Sequence, residues 1–158
     1  MSAQAAQAAQ DQLTHRRGAE DAEFPQRELT DLILAAAIEV HTVLGPGMLE
    51  SIYQGALRQE LTLRAVPFMA EVAIPVVYKG ARLATALRLD LIVDRRVIVE
   101  VKALSAIEEV HRAQLLSYLR ATDLAVGLLI NFNVPLLKSG IRRVVNSLRS
   151  SAPSAPLR

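Results

Sequence analysis

The chain has 158 residues, enough for one domain with a proper core. Half of it is hydrophobic (51%), yet aromatics make up 4% and tryptophan is absent, so the core must be built from Leu, Val, Ile and Ala. Cysteine is absent too, which excludes a disulfide framework, a zinc–thiolate site and a cysteine nucleophile. The net charge is only +2, but unevenly spread. Acids dominate the first 31 residues, whereas from Leu124 onward there is no acid and Lys138, Arg142, Arg143, Arg149 and Arg158 are all basic. The longest apolar runs fall short of the roughly 20 residues a membrane span needs, and the N-terminus lacks the order of a signal peptide. A cytoplasmic protein with no membrane partner is the expectation.

In chain order, residues 1–25 read as a disordered leader, with the low-complexity repeat AQAAQAAQ closed by Phe24-Pro25. Residues 26–149 read as a single domain and residues 150–158 as a disordered tail. Thr30, as N-cap, and Asp31 are expected to open a first helix, with Leu29, Leu32, Ile33, Ala36, Ala37, Val40 and Leu44 at helical spacing. Gly45-Pro46-Gly47 stops it. A second helix is expected from about Met48 to Arg64. After Pro67 the period becomes strand-like. EVAIPVVYKG and ARLATALRLDLIV form two runs split by a Lys79-Gly80 hairpin turn, and RVIVEVKAL is a third. Glu108 to Ala121 is expected as a helix and LAVGLLINF as a strand buried on both faces, where Gly127 signals close approach of another element. Leu137 to Arg149 is expected as a last, basic helix. The resulting order, α-α-β-β-β-α-β-α, indicates an α/β fold with a mixed central sheet flanked by helices.

Three groups of residues carry chemistry. Asp90 lies in RLDLIV, and Glu100 and Lys102 in RVIVEVK. A turn centred on Arg95 places Asp90 opposite Glu100, on the face that Lys102 shares. Two carboxylates and a lysine then converge where apolar side chains belong, and a hard cation is a good compensator. Asp90 and Glu100 are the candidate ligands of magnesium, with manganese as a substitute. The Val101 carbonyl can add an oxygen, and Lys102 can orient the attacking water or stabilise charge on a phosphate. The plain alternative is a surface ion pair of Lys102 with Glu100 or Asp90.

The second group is Gly47, Glu50 and Tyr53 in GPGMLESIY. Glu50 and Tyr53 share a helical face, and Glu50 can serve as an outer metal ligand or merely complement the helix dipole. The third is His111, Gln114 and Tyr118, one stripe of the helix after the lysine strand. Gln114 can hold the water or the lysine and Tyr118 can touch a phosphate, or the stripe can be a hydrogen-bonded polar seam. His41 reads as a satisfied structural histidine. The basic helix carrying Lys138, Arg142 and Arg143 is a candidate nucleic-acid surface, or else a solvated face. No aromatic stacking platform stands out.

Together LGPGMLESIY, YKG, RLDLIV, IVEVKAL, HRAQLLSYL and LLINFNVPLLKSGIRRVVN resemble the bacterial GxxExxY proteins, here Gly47, Glu50 and Tyr53. That group looks like a branch of the PD-(D/E)xK nuclease superfamily. The resemblance covers about Glu28 to Asn146. It implies a restriction-endonuclease-like fold, Asp90, Glu100 and Lys102 as the nuclease triad, Glu50 as the helix glutamate, and Gln114 and Tyr118 as a QxxxY element. It also implies a magnesium-dependent nuclease acting on nucleic acid, DNA ahead of RNA, or a non-cleaving module of the same fold. So small a domain is expected to take target choice from a second copy of itself or a larger partner.

Overall fold

The computed structural model describes residues 24–147, together with Gln7 and Asp11. The expected leader before Phe24 and the expected tail lie outside the described residues, those two positions apart. Two helices come first, α1 (Arg27–Leu44) and α2 (Glu50–Leu63). They are followed by β1 (Phe68–Ile74), a small hairpin of β2 (Val77–Tyr78) and β3 (Ala81–Arg82), then β4 (Leu87–Val93) and β5 (Val97–Lys102). Helix α3 (Glu109–Thr122) leads to β6 (Val126–Asn131). A 3-10 turn (Leu137–Gly140) leads to β7 (Ile141–Val145).

Five strands form one mixed sheet in the order β1-β4-β5-β6-β7, in which only β5 and β6 run parallel. Helix α3 is the crossover that a parallel pair requires. Helices α1 and α2 bury Leu29, Ile33, Ala36, Ala37, Val40, Tyr53, Leu57 and Leu61 against one face of the sheet, through Leu91, Val93, Val97, Val99 and Val101. Helix α3 buries Leu115, Tyr118 and Leu119 against the other face, through Leu89, Ile92, Ile98 and Leu129. A Cβ at Gly127 would meet Leu115 Cδ1 at 2.7 Å, so the glycine is what lets α3 lie down on β6.

The expected last helix is the largest correction. The segment from Ile141 is an edge strand antiparallel to β6, preceded by the short 3-10 turn. Leu137, Ile141 and Val144 happen to fit helical spacing, but Ile141, Val144 and Val145 are β-branched and the open edge of β6 offers a ladder to join. The first helix also begins a turn earlier than Thr30. Gln26 caps it in a left-handed conformation, φ 61°, and its side chain is held by Arg96 Nη1 at 3.1 Å. Thr30 is instead buried, its hydroxyl donating back to the Arg27 carbonyl at 2.8 Å. The long run ARLATALRLDLIV is two strands rather than one. Only its second half joins the main sheet, and its first two residues pair with β2 in the separate hairpin.

Candidate active site

The β4–β5 hairpin sets the site. Its turn has positive φ at Asp94 (47°) and Arg95 (58°), and Arg96 N–H donates to the Val93 carbonyl at 3.0 Å. The reversal is a three-residue loop, Asp94 to Arg96, with a left-handed pair at its start. It fixes the register Val93↔Val97, Ile92↔Ile98 and Leu91↔Val99. Carried one step further, this register puts Asp90 opposite Glu100, as the sequence implied.

The ladder stops just there. In β1 and β4 the pairs Ala70↔Leu91 and Val72↔Leu89 flank Glu71 and Asp90, which do not pair. Glu71 sits at φ 53°, and both strands turn over at this point. Phe68, Ala70, Leu91 and Val93 pack toward α1 and α2, whereas Val72, Ile74, Leu87 and Leu89 pack toward α3. Period-2 alternation would have kept all eight on the same face. The sequence pattern alone did not reveal this kink, and such irregularities gather next to active sites.

The kink lets Asp90 reach across to β5. Its Oδ2 accepts the Val101 N–H at 2.9 Å, where a continuous ladder would have offered the Leu89 carbonyl. Its own N–H donates to Glu100 Oε1 at 3.2 Å. In an extended strand the N–H and C=O of one residue point the same way. The Val101 carbonyl therefore also faces the opening beside Asp90.

Glu100 is 4% exposed, the one acid in a strand otherwise built of valine and isoleucine up to Lys102. Burial, and then the neighbouring Asp90 charge, push its carboxyl up from the ordinary 4.5 to about 8, while Lys102 pulls the other way. The two carboxyl groups are linked through the Asp90 backbone, whose N–H holds Glu100 Oε1. Like charges held together out of water favour a proton or a cation between them.

Helix α3 supplies the far wall. Gln114 Nε2 donates to the Tyr118 hydroxyl at 2.8 Å. Burial, then the Glu100 charge, raise the pKa of the Tyr118 phenol, and Asp90 contributes in the same direction. Gln114 and Tyr118 thus form a linked pair within electrostatic reach of the carboxylates. His111 is used differently: its Nδ1 accepts the Glu108 N–H at 2.9 Å, tying off the start of α3.

One residue on this side was overlooked. Asn131 is 1% exposed and lies beside Lys102 in the parallel register. Its Oδ1 accepts the Leu104 N–H and its Nδ2 donates to the Leu104 carbonyl, both at 2.9 Å. With Phe132 N–H donating to the Lys102 carbonyl at 2.9 Å, the backbone at the lysine and just after it is pinned. An asparagine interrupting the apolar run LLINF was the available signal, since a buried amide must find partners.

Glu50 is not gathered in. Among the described residues no three His, Asp or Glu side chains form a group that could hold a metal. Glu50 opens α2, whose packing face, led by Tyr53, lies on the opposite side of the sheet from Tyr118. Tyr53 is fully buried and stacked on Phe132, with ring centroids 4.7 Å apart. Its hydroxyl donates to the Gly45 carbonyl at 2.5 Å and accepts the Met48 N–H at 3.1 Å, closing the turn in which Gly45 and Gly47 take positive φ. His41 is satisfied as expected, its Nε2 lying 2.8 Å from the Val134 carbonyl.

The expected basic surface is split. Arg142 and Arg143 are neighbours on a strand, so they point to opposite faces rather than lining one helix. Arg142 is exposed and bonds the Ser139 and Ile141 carbonyls. Arg143 is half-buried on the α1 side, where it donates to the Pro25 carbonyl and lies against the Phe24 ring. Lys138 sits apart in the 3-10 turn.

A kinked strand bearing Asp90, a neighbouring strand bearing Glu100 and Lys102, and a helix closing the site from one face define a restriction-endonuclease-like α/β domain. The family model described as the PD-(D/E)XK nuclease superfamily matches residues 27–144, and the chain belongs to that superfamily. No curated protein and no solved structure matches the chain. Among the described residues no helix is long and apolar enough to cross a membrane.

Proposed function

We propose that the chain is a metal-dependent nuclease of the GxxExxY branch, working in the cytoplasm and hydrolysing a nucleic-acid phosphodiester with a magnesium-activated water. The observation that carries this reading is the buried Glu100 carboxyl facing Asp90. The donor set fits the ion, because magnesium is commonly held by one or two carboxylates and completes its shell with water and substrate phosphate. Asp90 and Glu100 would hold it, with the Val101 carbonyl turned to the same opening. When bound, the ion compensates the paired carboxylates and lowers the pKa of water at the site.

The chain's own residues have separable tasks. Lys102, which acts electrostatically on Glu100, would orient the water and stabilise charge gathering on the phosphate. Asn131 and Phe132 keep the Lys102 backbone from shifting. Gln114 and Tyr118 form a neutral hydrogen-bonded pair beside the carboxylates, suited to a phosphate oxygen that a further acid would repel. DNA stands ahead of RNA as substrate on the superfamily resemblance alone. A second copy or a larger partner is the proposed source of target choice.

A second reading, a nuclease-fold module that binds nucleic acid or protein without cleaving, draws support from one feature. Glu50 stays apart from Asp90 and Glu100, which leaves two acidic side chains at the site. Calorimetric titration with magnesium and manganese separates the two. Stoichiometric binding by the wild type that disappears in Asp90→Asn and Glu100→Gln, together with metal-dependent cleavage, is the expected result. A folded wild type that takes up neither ion, with or without oligonucleotide, would leave the second reading standing.

A further inference from the structure

The hairpin β2–β3 leaves the sheet between Ile74 and Leu87, the last pair of the β1–β4 ladder. This is the end toward which β5 carries Lys102. Asp90 lies three residues along β4 from Leu87, or about 10 Å of strand. The arm is defined by the pairs Val77↔Arg82 and Tyr78↔Ala81, by Leu83 N–H donating to the Val76 carbonyl at 2.8 Å, and by positive φ at Lys79 (48°) and Gly80 (83°). Every residue from Val77 to Ala86 is exposed. Val77 (64%), Tyr78 (62%) and Leu83 (44%) thus show apolar surface to water on an arm with no core of its own. Such a short hairpin is marginal in water unless something packs on it.

The charge on the arm says what that is. From Val72 to Leu89 there is no acid, and Lys79, Arg82 and Arg88 are basic, Arg88 being paired with Glu71. The Lys79 Nζ lies 5.5 Å from the Tyr78 ring centroid, so a cation and an aromatic face are presented together. A second copy of the chain is a poor fit, because a two-fold contact would bring Lys79 and Arg82 against themselves. A duplex major groove fits poorly too. Val77, Tyr78, Ala81 and Leu83 leave Arg82 and Lys79 as the arm's long polar groups, too few to read base edges.

We propose that this hairpin is the substrate-holding arm of the site and that it grips an unpaired stretch of nucleic acid. Tyr78 stacks on a base, and Lys79, beside its ring, meets a neighbouring phosphate. Arg82, on the hairpin's other face with Val77, meets a phosphate further along the strand as it rounds the arm. The inference rests on the nucleic-acid reading above and deepens it. An exposed ring beside a cation is how strands are held without sequence preference. Along the backbone, about 10 Å of β4 and the segment from Ile74 to Tyr78 separate the carboxylates from the stacked base, a span of several nucleotides.

The test is fluorescence anisotropy of a labelled oligothymidylate, without metal, against the wild type, Tyr78→Ala, the double variant Lys79→Gln/Arg82→Gln, and Glu100→Gln. Thermal melts confirm that the arm variants fold. Tyr78→Ala should weaken binding about 10-fold. The double variant should lower the slope of log affinity against log salt by about 1.4. Glu100→Gln should bind at least as well as the wild type, and a duplex of the same length should bind less tightly. Unchanged affinity in the arm variants, or preference for the duplex, overturns the proposal. So does loss of self-association in Tyr78→Ala, seen by sedimentation, with oligonucleotide binding intact. Magnesium-dependent cleavage is scored separately. Cleavage indifferent to the arm variants removes the arm and leaves the hydrolase. Arm-dependent binding without cleavage removes the hydrolase and leaves the arm.

Discussion

The β4–β5 hairpin carries two clusters of acids and bases, one at each end, that differ in charge balance and in environment. At the turn, Asp94 faces Arg96, opposite charges in which two guanidinium N–H groups donate to the one oxygen Oδ2, in a contact that is about half exposed. At the open end, Asp90 faces Glu100, like charges beside Lys102, with Glu100 almost wholly out of water. The first cluster is complete as it stands. The second is energetically unfinished and gains from whatever positive charge enters. A carboxylate near a basic residue in sequence therefore signals a site only when burial and a like-charged neighbour accompany it.

Substitutions at the two bases give the widest contrast. On the proposed function, Lys102→Ala should lower the rate of metal-dependent cleavage by about 100-fold or more, because the group would then act on charge that develops in the reaction. Arg96→Ala should leave the rate unchanged, since its side chain serves Asp94 and Gln26 at the far end of the hairpin. Single-turnover rates with circular dichroism as the folding control decide it. Equal losses in both variants would mean that the hairpin matters as scaffold and that its open end has no special role.

Much of this contrast was legible in the sequence. A turn centred on Arg95 fixes register by counting, so Asp90 opposite Glu100 followed from chain numbering, and Gly127 signalled its neighbour. What escaped depends on contacts distant in sequence. The kink at Glu71 and Asp90 exists because two strands turn over together, which neither strand's own pattern reports. Gln26 caps α1 because Arg96, 70 residues away, holds its side chain. His111 shares a helical stripe with Gln114 and Tyr118, yet the unpaired Glu108 N–H at the start of α3 claims its ring. The segment from Ile141 has residues at helical spacing but meets an open sheet edge. Tyr78 reads as one more strand residue until the hairpin lifts it clear of the core.

The next effect is on stability. Glu100 has a folded-state pKa near 8, above its ordinary 4.5, so the folded protein binds this proton more tightly than the unfolded chain does. The resulting stabilisation is full below about pH 4.5 and is lost as pH rises through about 8. In metal-free buffer, urea midpoints of the wild type should fall between about pH 5 and about pH 8. The loss should be on the order of a few kcal/mol, because a buried charge is being created beside Asp90. Glu100→Gln has no proton to lose, so its profile should be flatter over that range and its stability higher at the alkaline end. Magnesium should restore the wild type and leave the variant unmoved. Parallel profiles for the two proteins would show that Glu100 ionises without penalty and would remove the reason for a cation.

The smallest effect is expected at the turn. Asp94→Asn removes the ion pair with Arg96, but both side chains are well solvated and such pairs contribute about 0–1 kcal/mol. Asparagine tolerates the left-handed conformation that position 94 requires, so the backbone term stays nearly constant. The urea midpoint should move by less than about 1 kcal/mol, and any shift should fade as salt screens the pair. Asp94→Ala separates the two contributions, because alanine loses both the charge and the tolerance for positive φ, and it should cost about 1 kcal/mol more than asparagine. If Asp94→Asn instead destabilised the protein as strongly as raising the pH does, the pair at the turn would be holding the register itself. Asp90 would then drift from Glu100 in the variant, and metal binding at the open end would fall with it.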